Sequence, residues 1–272
     1  MIPNVLSIAG SDPSGGAGIQ ADIKAISANG AFAMAALTAL TAQNTQGVSG
    51  IHLVPPEFVE HQINAVFDDI RVDAVKIGMI ANAEIALAVE RAVSGRDVPV
   101  ILDPVMIAKG GAPLLRPDAV AVVRDALLPL ATVLTPNLPE AAHLLGAEPA
   151  RTRADMETQG RALCALGPGA VLMKGGHLDG DDSPDCLVTP DAATWFEAPR
   201  IPTRNTHGTG CTLSSALAAQ MAQSGDIQCA VRAAKSYVAD AIAKADALTV
   251  GTGHGPTHHF ANLYPSLKEP LS

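Results

Sequence analysis

Short apolar runs alternate with amphipathic segments along most of the chain. Residues 5–9 predict a first strand, and a glycine-rich turn at 10–16 separates it from a helix over 17–29. The same order repeats downstream, with strands predicted at 35–42, 73–78, 98–103, 132–135 and 170–174, and helices at 56–70, 82–94, 117–128, 138–145, 153–166, 209–223 and 227–248. Residues 185–197 are typical of a hairpin that turns at Thr189-Pro190-Asp191.

Continuous apolar strands separated by helices are typical of a parallel sheet covered on both faces. The pattern therefore predicts an α/β fold, a three-layer α/β/α sandwich whose central sheet is mostly parallel. The hairpin adds an antiparallel edge to that sheet. Because no linker or shift in composition divides the chain, we expect a single domain over residues 1–272.

Composition narrows the class of protein. The 272 residues are 48% hydrophobic but only 3% aromatic, so a large core must be built from aliphatic side chains. A net charge of −9 disfavours nucleic acid and anionic membrane surfaces as partners, because both require basic patches. The four cysteines lack metal-binding or disulfide spacing, and neither a signal peptide nor a membrane-spanning run is evident. We therefore expect a cytoplasmic protein.

Glycines and polar side chains follow many of the predicted strands. They are Gly10-Ser11-Asp12, Gln43-Asn44, Gly78-Met79, Asp103-Pro104-Val105, Thr135-Pro136-Asn137 and Lys174-Gly175-Gly176. In open parallel sheets, ligands bind beyond the carboxyl ends of the strands. These segments are therefore expected to line one rim.

The segment from Asn205 to Leu213 joins a glycine loop to a small-residue helix. Gly208 and Gly210 allow several amides to converge where the helix begins, and free amides together with the helix dipole bind phosphate. Cys211 falls in the first helical turn, where we expect a lowered pKa and thiolate character. The alternative is a glycine-rich helix start with a buried structural cysteine.

Several other residues have two interpretations. Asn137 and Glu140 lie one helical turn apart and offer the oxygen ligands that Mg²⁺ prefers, but the same pair is typical of a helix cap. Asp103 either holds a metal-bound water or ends a strand. Lys174, followed by two glycines, either reaches a phosphoryl oxygen or extends to solvent, and Lys235 has the same ambiguity.

Two nucleotide-binding motifs are excluded. Residues 16–21 match a dinucleotide-binding pattern, but they lie too far after the first strand, and no acidic residue occurs between Asp22 and Glu57. No P-loop motif occurs either. His258 and His259 follow a glycine-rich stretch, which favours a surface loop over a metal site.

Six ordered motifs besides the first glycine loop give the chain a family resemblance. They are Ala42-Gln43-Asn44-Thr45, Lys76-Ile77-Gly78-Met79, Asp103-Pro104-Val105-Met106, Thr135-Pro136-Asn137-Leu138-Pro139-Glu140, Lys174-Gly175-Gly176 and Thr206-His207-Gly208-Thr209-Gly210-Cys211-Thr212. The chain resembles the hydroxymethylpyrimidine/phosphomethylpyrimidine kinases of thiamine biosynthesis. The resemblance implies a ribokinase-like fold, ATP and Mg²⁺ as cofactors, a homodimer, and phosphorylation first of the hydroxymethylpyrimidine and then of its monophosphate.

The resemblance also implies roles for individual residues. The pyrimidine would be surrounded by Gly10, Asp22, Gln43, Met79 and Val105. The metal would be held by Asn137 and Glu140, with Asp103 nearby, and ATP would be contacted by Lys174, Thr206, Thr209 and Lys235. Catalysis is assigned to Lys174, Gly208, Gly210 and Cys211, with Cys211 as base and orienting group. A pyridoxal kinase and a non-catalytic pyrimidine or nucleotide sensor are the alternatives.

Overall fold

The computed structural model describes residues 1–106, 115 and 117–263. Its main sheet has eight strands in the order β10-β9-β8-β7-β6-β5-β1-β2, and a separate hairpin pairs β3 with β4. The strands are β1 Asn4–Ala9, β2 Phe32–Leu37, β3 Ala39–Asn44, β4 Gly47–Leu53, β5 Ala74–Ile77, β6 Val100–Leu102, β7 Val133–Leu134, β8 Ala170–Lys174, β9 Asp185–Val188 and β10 Ala193–Phe196. In the main sheet, β2, β1, β5, β6, β7 and β8 pair in parallel with their neighbours, and β9 and β10 are antiparallel.

Helices cover both faces of the main sheet. They are α1 Gly18–Ala28, α2 Pro56–Asp69, α3 Ala83–Val93, α4 Pro117–Val122, α5 Leu138–Leu145, α6 Arg153–Cys164, α7 Thr209–Ser224 and α8 Ile227–Ala243. One core lies under α2 to α6 and the other under α1, α7 and α8. Adjacent residues of a strand lie in opposite cores: Leu6 is in the core under α2 to α6, and Val5 is in the core under α1, α7 and α8. The predicted three-layer α/β/α sandwich with a mostly parallel sheet is confirmed.

The prediction of one strand over 35–42 is wrong. The run contains the end of β2 and the start of β3, which belong to different sheets, and β4 was not predicted. The chain bends at Thr38, whose hydroxyl donates to the Met79 carbonyl at 2.7 Å. Because both strands are rich in alanine, hydrophobicity gave no sign of the bend.

Other predicted elements differ from the structure mainly at their ends. The helix predicted over 117–128 becomes a wider π-helical turn at Val123–Leu127 and then a 3-10 turn at Leu128–Leu130. The last helix ends at Ala243, followed by a 3-10 turn at Ala245–Ala247. The edge hairpin forms as predicted. Within the residues described above, no helix has the length and apolarity needed to cross a bilayer.

Candidate active site

The N-terminus of α7 is built on a glycine in the left-handed region. Gly208 has φ 76°, and a Cβ there would overlap the Gly16 carbonyl oxygen. The helix begins at once, because the Thr212 N–H donates to the Gly208 carbonyl at 2.8 Å. No side chain caps the helix, and its first turn carries no acidic residue. The Thr209 N–H donates to the Thr206 carbonyl at 3.3 Å, and the next amides of the first turn, those of Gly210 and Cys211, remain available to an anion.

Asp12 fixes the glycine loop after β1 against the α7 loop. Its carboxylate accepts hydrogen bonds from the N–H groups of Ser14 and Ala17 at 2.9 and 2.8 Å, and His207 Nε2 lies 2.7 Å from Oδ2. Burial alone would raise the pKa of Asp12, but the bonds from His207 and Ser14 outweigh it and lower that pKa. The carboxylate is therefore charged and holds the two loops together.

Lys174 lies directly beside the α7 N-terminus. Its Nζ is 2.9 Å from Asp103 Oδ1 and 3.7 Å from Glu140 Oε2. A Cβ at Gly210 would lie 3.3 Å from that Nζ and 3.4 Å from Asp103 Oδ2. Ser214 in α7 also donates to Asp103 Oδ2, at 3.4 Å. The structure thus brings four of the predicted site residues, from four separate motifs, into one cluster.

The charges of this cluster influence one another. The pKa of Glu140 is raised to about 7, mainly by burial; the Lys174 ammonium lowers it, and the Asp103 carboxylate adds to the rise. Burial would lower the pKa of Lys174, but the Asp103 and Glu140 carboxylates outweigh it and raise that pKa. Lys174 therefore remains an ammonium, the charge required beside a phosphoryl group.

Asn137 and Glu140 form the helix cap that was one of their two interpretations. The Asn137 side chain accepts from the Glu140 N–H at 2.9 Å, and Glu140 Oε2 accepts from the Asn137 N–H at 2.8 Å. The cap does not exclude metal binding, because a carboxylate has about four acceptor positions. Glu140 and Asp103, held close together by Lys174, are hard oxygen donors of the kind that suits Mg²⁺.

The expected lowering of the Cys211 pKa is wrong. Burial raises the pKa of the Cys211 thiol to about 11; Lys76 and a hydrogen bond from the Gly18 N–H lower it, whereas the Asp22 and Asp103 carboxylates add to the rise. Cys211 does lie in the first turn of α7, as predicted. Desolvation of a thiolate outweighs the favourable helix terminus here.

Asp22 is not exposed to a pyrimidine site, in contrast to the role that the resemblance implied. Its side chain has no exposed surface, and both carboxylate oxygens accept hydrogen bonds from Lys76 Nζ. The analysis of the sequence missed Lys76 as a functional candidate. The available signal was a lysine inside the apolar strand β5, which must pair with a carboxylate when both faces of the sheet are covered.

Three of the predicted pyrimidine contacts lie together. Met79 packs in a small cluster with Ala39 and partly buried Val105. A Cβ at Gly10 would overlap the Met79 methyl group, so these two residues lie side by side. Gln43 lies on β3, half-buried, and its Oε1 accepts from the Thr41 hydroxyl at 3.2 Å.

Thr41 also joins the hairpin to the glycine loop after β1. Its hydroxyl lies 2.9 Å from the carbonyl oxygen of Ser11, and its N–H donates to the Ser11 hydroxyl at 3.1 Å. Gln43 is therefore connected to the sheet rim through the hairpin. No direct contact joins it to Met79 among the hydrogen bonds of the described residues.

The residues predicted to contact ATP lie in two places. The carbonyl of Thr206 accepts from the Thr209 hydroxyl at 2.8 Å, so these two stabilise the start of α7. Lys235 instead donates to Asp185 Oδ2 at 2.7 Å and to the Ser183 carbonyl at 2.8 Å. The other oxygen of Asp185 accepts from the Gly175 N–H at 3.0 Å. Lys235 thus supports the turn after Lys174 through Asp185.

The segment after α8 is not the surface loop that was predicted. His259 is 5% exposed, and its Nε2 lies 3.1 Å from the Thr212 hydroxyl. The His207 N–H donates to the Gly255 carbonyl at 3.0 Å. The segment therefore packs against the α7 loop. Among the described residues, no group of three or more ligating side chains forms a metal site there or elsewhere.

Comparisons with known proteins agree with this geometry. The family model for phosphomethylpyrimidine kinase matches residues 12–258. The hydroxymethylpyrimidine/phosphomethylpyrimidine kinase of Escherichia coli (strain K12) is 54% identical over 258 residues, which are 94% of this chain and 97% of that protein.

Solved structures give the same result. Phosphomethylpyrimidine kinase from Clostridium difficile 630 has a TM-score of 0.79 and 42% identity, covering 88% of this chain and 99% of that one. An ADP complex of Bacillus subtilis pyridoxal kinase has a TM-score of 0.89 and 34% identity, covering 97% and 100%. These similarities confirm the ribokinase-like fold and the kinase activity that the motifs implied. The chain belongs to the phosphomethylpyrimidine kinase family.

Proposed function

We propose that this protein transfers the γ-phosphoryl group of ATP to 4-amino-5-hydroxymethyl-2-methylpyrimidine, and then phosphorylates the monophosphate, in thiamine biosynthesis. The observation that carries the proposal is the uncapped N-terminus of α7 beside the Lys174–Asp103 pair, so close that a Cβ at Gly210 would lie within 3.4 Å of both side chains. In the Escherichia coli relative this activity is part of the protein's name.

The phosphoryl group would lie between the α7 amides and the Lys174 ammonium. Phosphoryl transfer has a loose transition state with charge spread over the equatorial oxygens, so positioning and charge stabilisation supply most of the catalysis. Gly208 and Gly210 allow the backbone to approach those oxygens closely. Cys211 would lie beside the attacking hydroxyl. Because its raised pKa keeps the thiol protonated near neutral pH, Cys211 would orient that hydroxyl. Removal of the hydroxyl proton would then depend on the charges around the sulfur.

Mg²⁺ would be held by Glu140 and Asp103, with the amide oxygen of Asn137 nearby. When bound, the ion would neutralise charge on the transferring phosphates. Lys174, which these carboxylates hold in place, would remain available to the phosphoryl oxygen. Lys235 would act on ATP indirectly, because its ammonium supports the Gly175 turn through Asp185.

The pyrimidine would bind beside Gly10, Met79 and Val105, and the Gln43 side chain would form hydrogen bonds with the edge of the ring. An amide side chain both donates and accepts hydrogen bonds, which matches an aminopyrimidine. The similarity to a pyridoxal kinase makes pyridoxal the competing substrate. A non-catalytic sensor on this fold is the third possibility, and it would bind the pyrimidine without consuming ATP.

ADP release measured with hydroxymethylpyrimidine, its monophosphate and pyridoxal separates these functions. We expect the two pyrimidines to be consumed in succession, with kcat/KM higher than for pyridoxal. A preference for pyridoxal would reassign the enzyme. Binding without ADP release, at any Mg²⁺ concentration, would make the protein a sensor.

We also infer a homodimer that acts in the cytoplasm. Several large apolar side chains are more than a third exposed on the β3–β4 hairpin and in the first turn of α2 that follows it, namely Leu40, Ile51, Leu53 and Phe58. All four cysteines are unpaired, which suits a reducing compartment. Sedimentation equilibrium tests the dimer, and Leu40→Asp with Ile51→Asp should shift it towards monomer.

A further inference from the structure

A lysine and an aspartate form an ion pair in the centre of the fold. Lys76 Nζ lies 2.9 and 2.8 Å from the two carboxylate oxygens of Asp22, and neither side chain has exposed surface. The carboxylate also accepts from the hydroxyls of Ser7 and Ser215, at 2.6 and 2.7 Å. Four elements, β1, β5, α1 and α7, each contribute one of these side chains.

Stability alone does not account for this pair. Moving two charges out of water costs several kcal/mol per ion, and apolar residues of similar volume are often as stable or more so. The neighbours of Lys76 on β5, Val75 and Ile77, are apolar and fully buried. An apolar side chain at position 76 would continue that pattern. The ammonium therefore points to a role in the reaction.

Lys76 Nζ lies against Gly78, next to one of the predicted pyrimidine contacts. A Cβ at Gly78 would lie 2.5 Å from Lys76 Nζ and 3.1 Å from the Ala9 Cβ. Gly78 is the residue before Met79, which lines the pocket beside Gly10. The glycine at 78 therefore leaves room for the Lys76 ammonium next to Met79.

Cys211 lies where the N-termini of two long helices meet. The backbone N–H of Gly18, the first residue of α1, donates to Cys211 Sγ, and Cys211 is in the first turn of α7. The charged groups that act on the sulfur come from four elements: Lys76 from β5, Asp22 from α1, Asp103 after β6 and Lys174 from β8. Lys76 favours negative charge on the sulfur, whereas Asp22 and Asp103 oppose it.

We propose that Lys76 is a positioning residue for the phosphoryl transfer, because its ammonium, anchored by Asp22, favours negative charge on Cys211 Sγ and on the substrate oxygen beside it. The inference rests on the proposed function. In the step, the substrate hydroxyl oxygen bonds to the γ-phosphorus and the bond to the β–γ bridging oxygen breaks. ADP keeps that electron pair, and the hydroxyl proton moves to the Cys211 thiolate, which forms after the thiol has lost its own proton to solvent.

Two single variants separate this electrostatic role from a structural one. Lys76→Met removes the ammonium and Asp22→Asn removes the carboxylate, so each breaks the same ion pair. A structural role predicts that both act in the same direction. The electrostatic role predicts that the midpoint of Cys211 alkylation against pH rises by about one unit in Lys76→Met and falls in Asp22→Asn.

Alkylation is read for each cysteine by peptide mass spectrometry, with iodoacetamide as the probe. Exposed Cys229 on α8 serves as the internal control in every sample. If the Lys76→Met single variant does not fold, the Lys76→Met/Asp22→Asn double variant is compared with the Asp22→Asn single variant. No ion pair remains to be broken in that background. The midpoint should again be higher without the ammonium.

The kinetic readout is kcat for the pyrimidine. We expect a fall of roughly tenfold or more in Lys76→Met, with KM for ATP unchanged. Midpoints that move together or not at all would overturn the proposal, as would opposite shifts with unchanged kcat. Because alkylation needs no substrate, failure of the proposed function would leave the midpoints informative.

Discussion

His207 Nε2 and Asp12 Oδ2 lie 2.7 Å apart, and their hydrogen bond joins two glycine loops that are 195 residues apart in the chain. Asp12 holds the first loop through Ser14 and Ala17, and His207 belongs to the loop that begins α7. The bond therefore sets the position of the α7 amides relative to the rim of the sheet. This hydrogen bond therefore affects catalysis by positioning the α7 amides, although neither side chain contacts the reacting atoms.

We expect Asp12→Asn and His207→Gln each to lower the free energy of unfolding by about 1–3 kcal/mol. Misplacement of a catalytic loop by about 1 Å costs up to about 10²-fold, so kcat should fall more than stability alone predicts. A double-mutant cycle on both quantities measures the coupling. Ser14→Ala is the control, because it removes another Asp12 partner within the first loop. An equal loss of kcat in Ser14→Ala would contradict the prediction.

Much of this site follows from the order of strands and glycines. The rim residues come after strands whose carboxyl ends meet, so their convergence is a consequence of a parallel sheet. Lys174, Asp103 and Glu140 meet for that reason. The glycine at 208 was recognisable because only glycine accepts the left-handed conformation at so crowded a turn.

Features formed by residues that are far apart in the sequence could not be predicted from it. The Lys76–Asp22 pair needs β5 and α1 to be placed first, and the pKa of Cys211 depends on how completely the fold removes water from the sulfur. The β3–β4 hairpin was missed because the alanine-rich run from β2 into β3 carries no break in hydrophobicity. Local pattern does not encode these features, which arise from packing.

Gly208 should tolerate no side chain. With φ 76° and the Gly16 carbonyl in the way of a Cβ, Gly208→Ala combines backbone strain with a steric clash. We expect kcat to fall by at least 10²-fold, because the α7 amides shift away from the phosphoryl group. Steady-state kinetics and thermal unfolding measure the two effects.

Gly225→Ala is the matched control for Gly208→Ala. Gly225 ends α7 with φ 64°, and a Cβ there meets nothing within 4 Å. Its substitution should cost about 1 kcal/mol of stability and leave kcat unchanged. Equal loss of activity in both variants would mean that the helix as a whole, and not the anion loop, is responsible.

Glu140→Ala distinguishes a metal ligand from a cap. Loss of the cap costs about 0.5–2 kcal/mol of stability, whereas loss of a metal ligand lowers kcat and raises the Mg²⁺ concentration required. We expect both effects. Thr152→Ala is the control, because Thr152 and Asp155 form the same kind of capping box on α6. Normal Mg²⁺ dependence in a destabilised Glu140→Ala enzyme would leave the cap as the only role.

Gln43→Leu should raise KM for the pyrimidine by several-fold or more, with ATP binding retained, because the variant loses the amide that pairs with the ring edge. Gln46→Leu makes the same chemical change at the exposed turn of the same hairpin and should leave KM unchanged. Kinetics with each substrate varied in turn test this. An unchanged pyrimidine KM in Gln43→Leu would remove Gln43 from the site.

His259 should make the protein lose stability as the pH falls below neutral. Burial lowers the pKa of His259 to about 4, and the nearby Lys24, His258 and His207 add to the effect. The imidazole is neutral in the fold, while the unfolded chain takes up a proton near pH 6.5. Its contribution is therefore fully present above pH 6.5 and is lost as the pH falls towards 4. The loss amounts to roughly 3 kcal/mol at most.

The test compares wild type with His259→Gln by urea unfolding between pH 5 and 7. Glu140 acts in the opposite sense over this range, because its raised pKa stabilises the fold as the pH falls, and the comparison cancels that contribution. We expect the difference between the two proteins to shrink by about 2 kcal/mol from pH 7 to pH 5. Thr212→Val removes the hydroxyl beside His259 Nε2 without removing a titrating group, so it should lower stability about equally at both pH values. A difference between wild type and His259→Gln that stays constant with pH would contradict the prediction, because it would show that the imidazole takes up its proton at the same pH in the fold as in the unfolded chain.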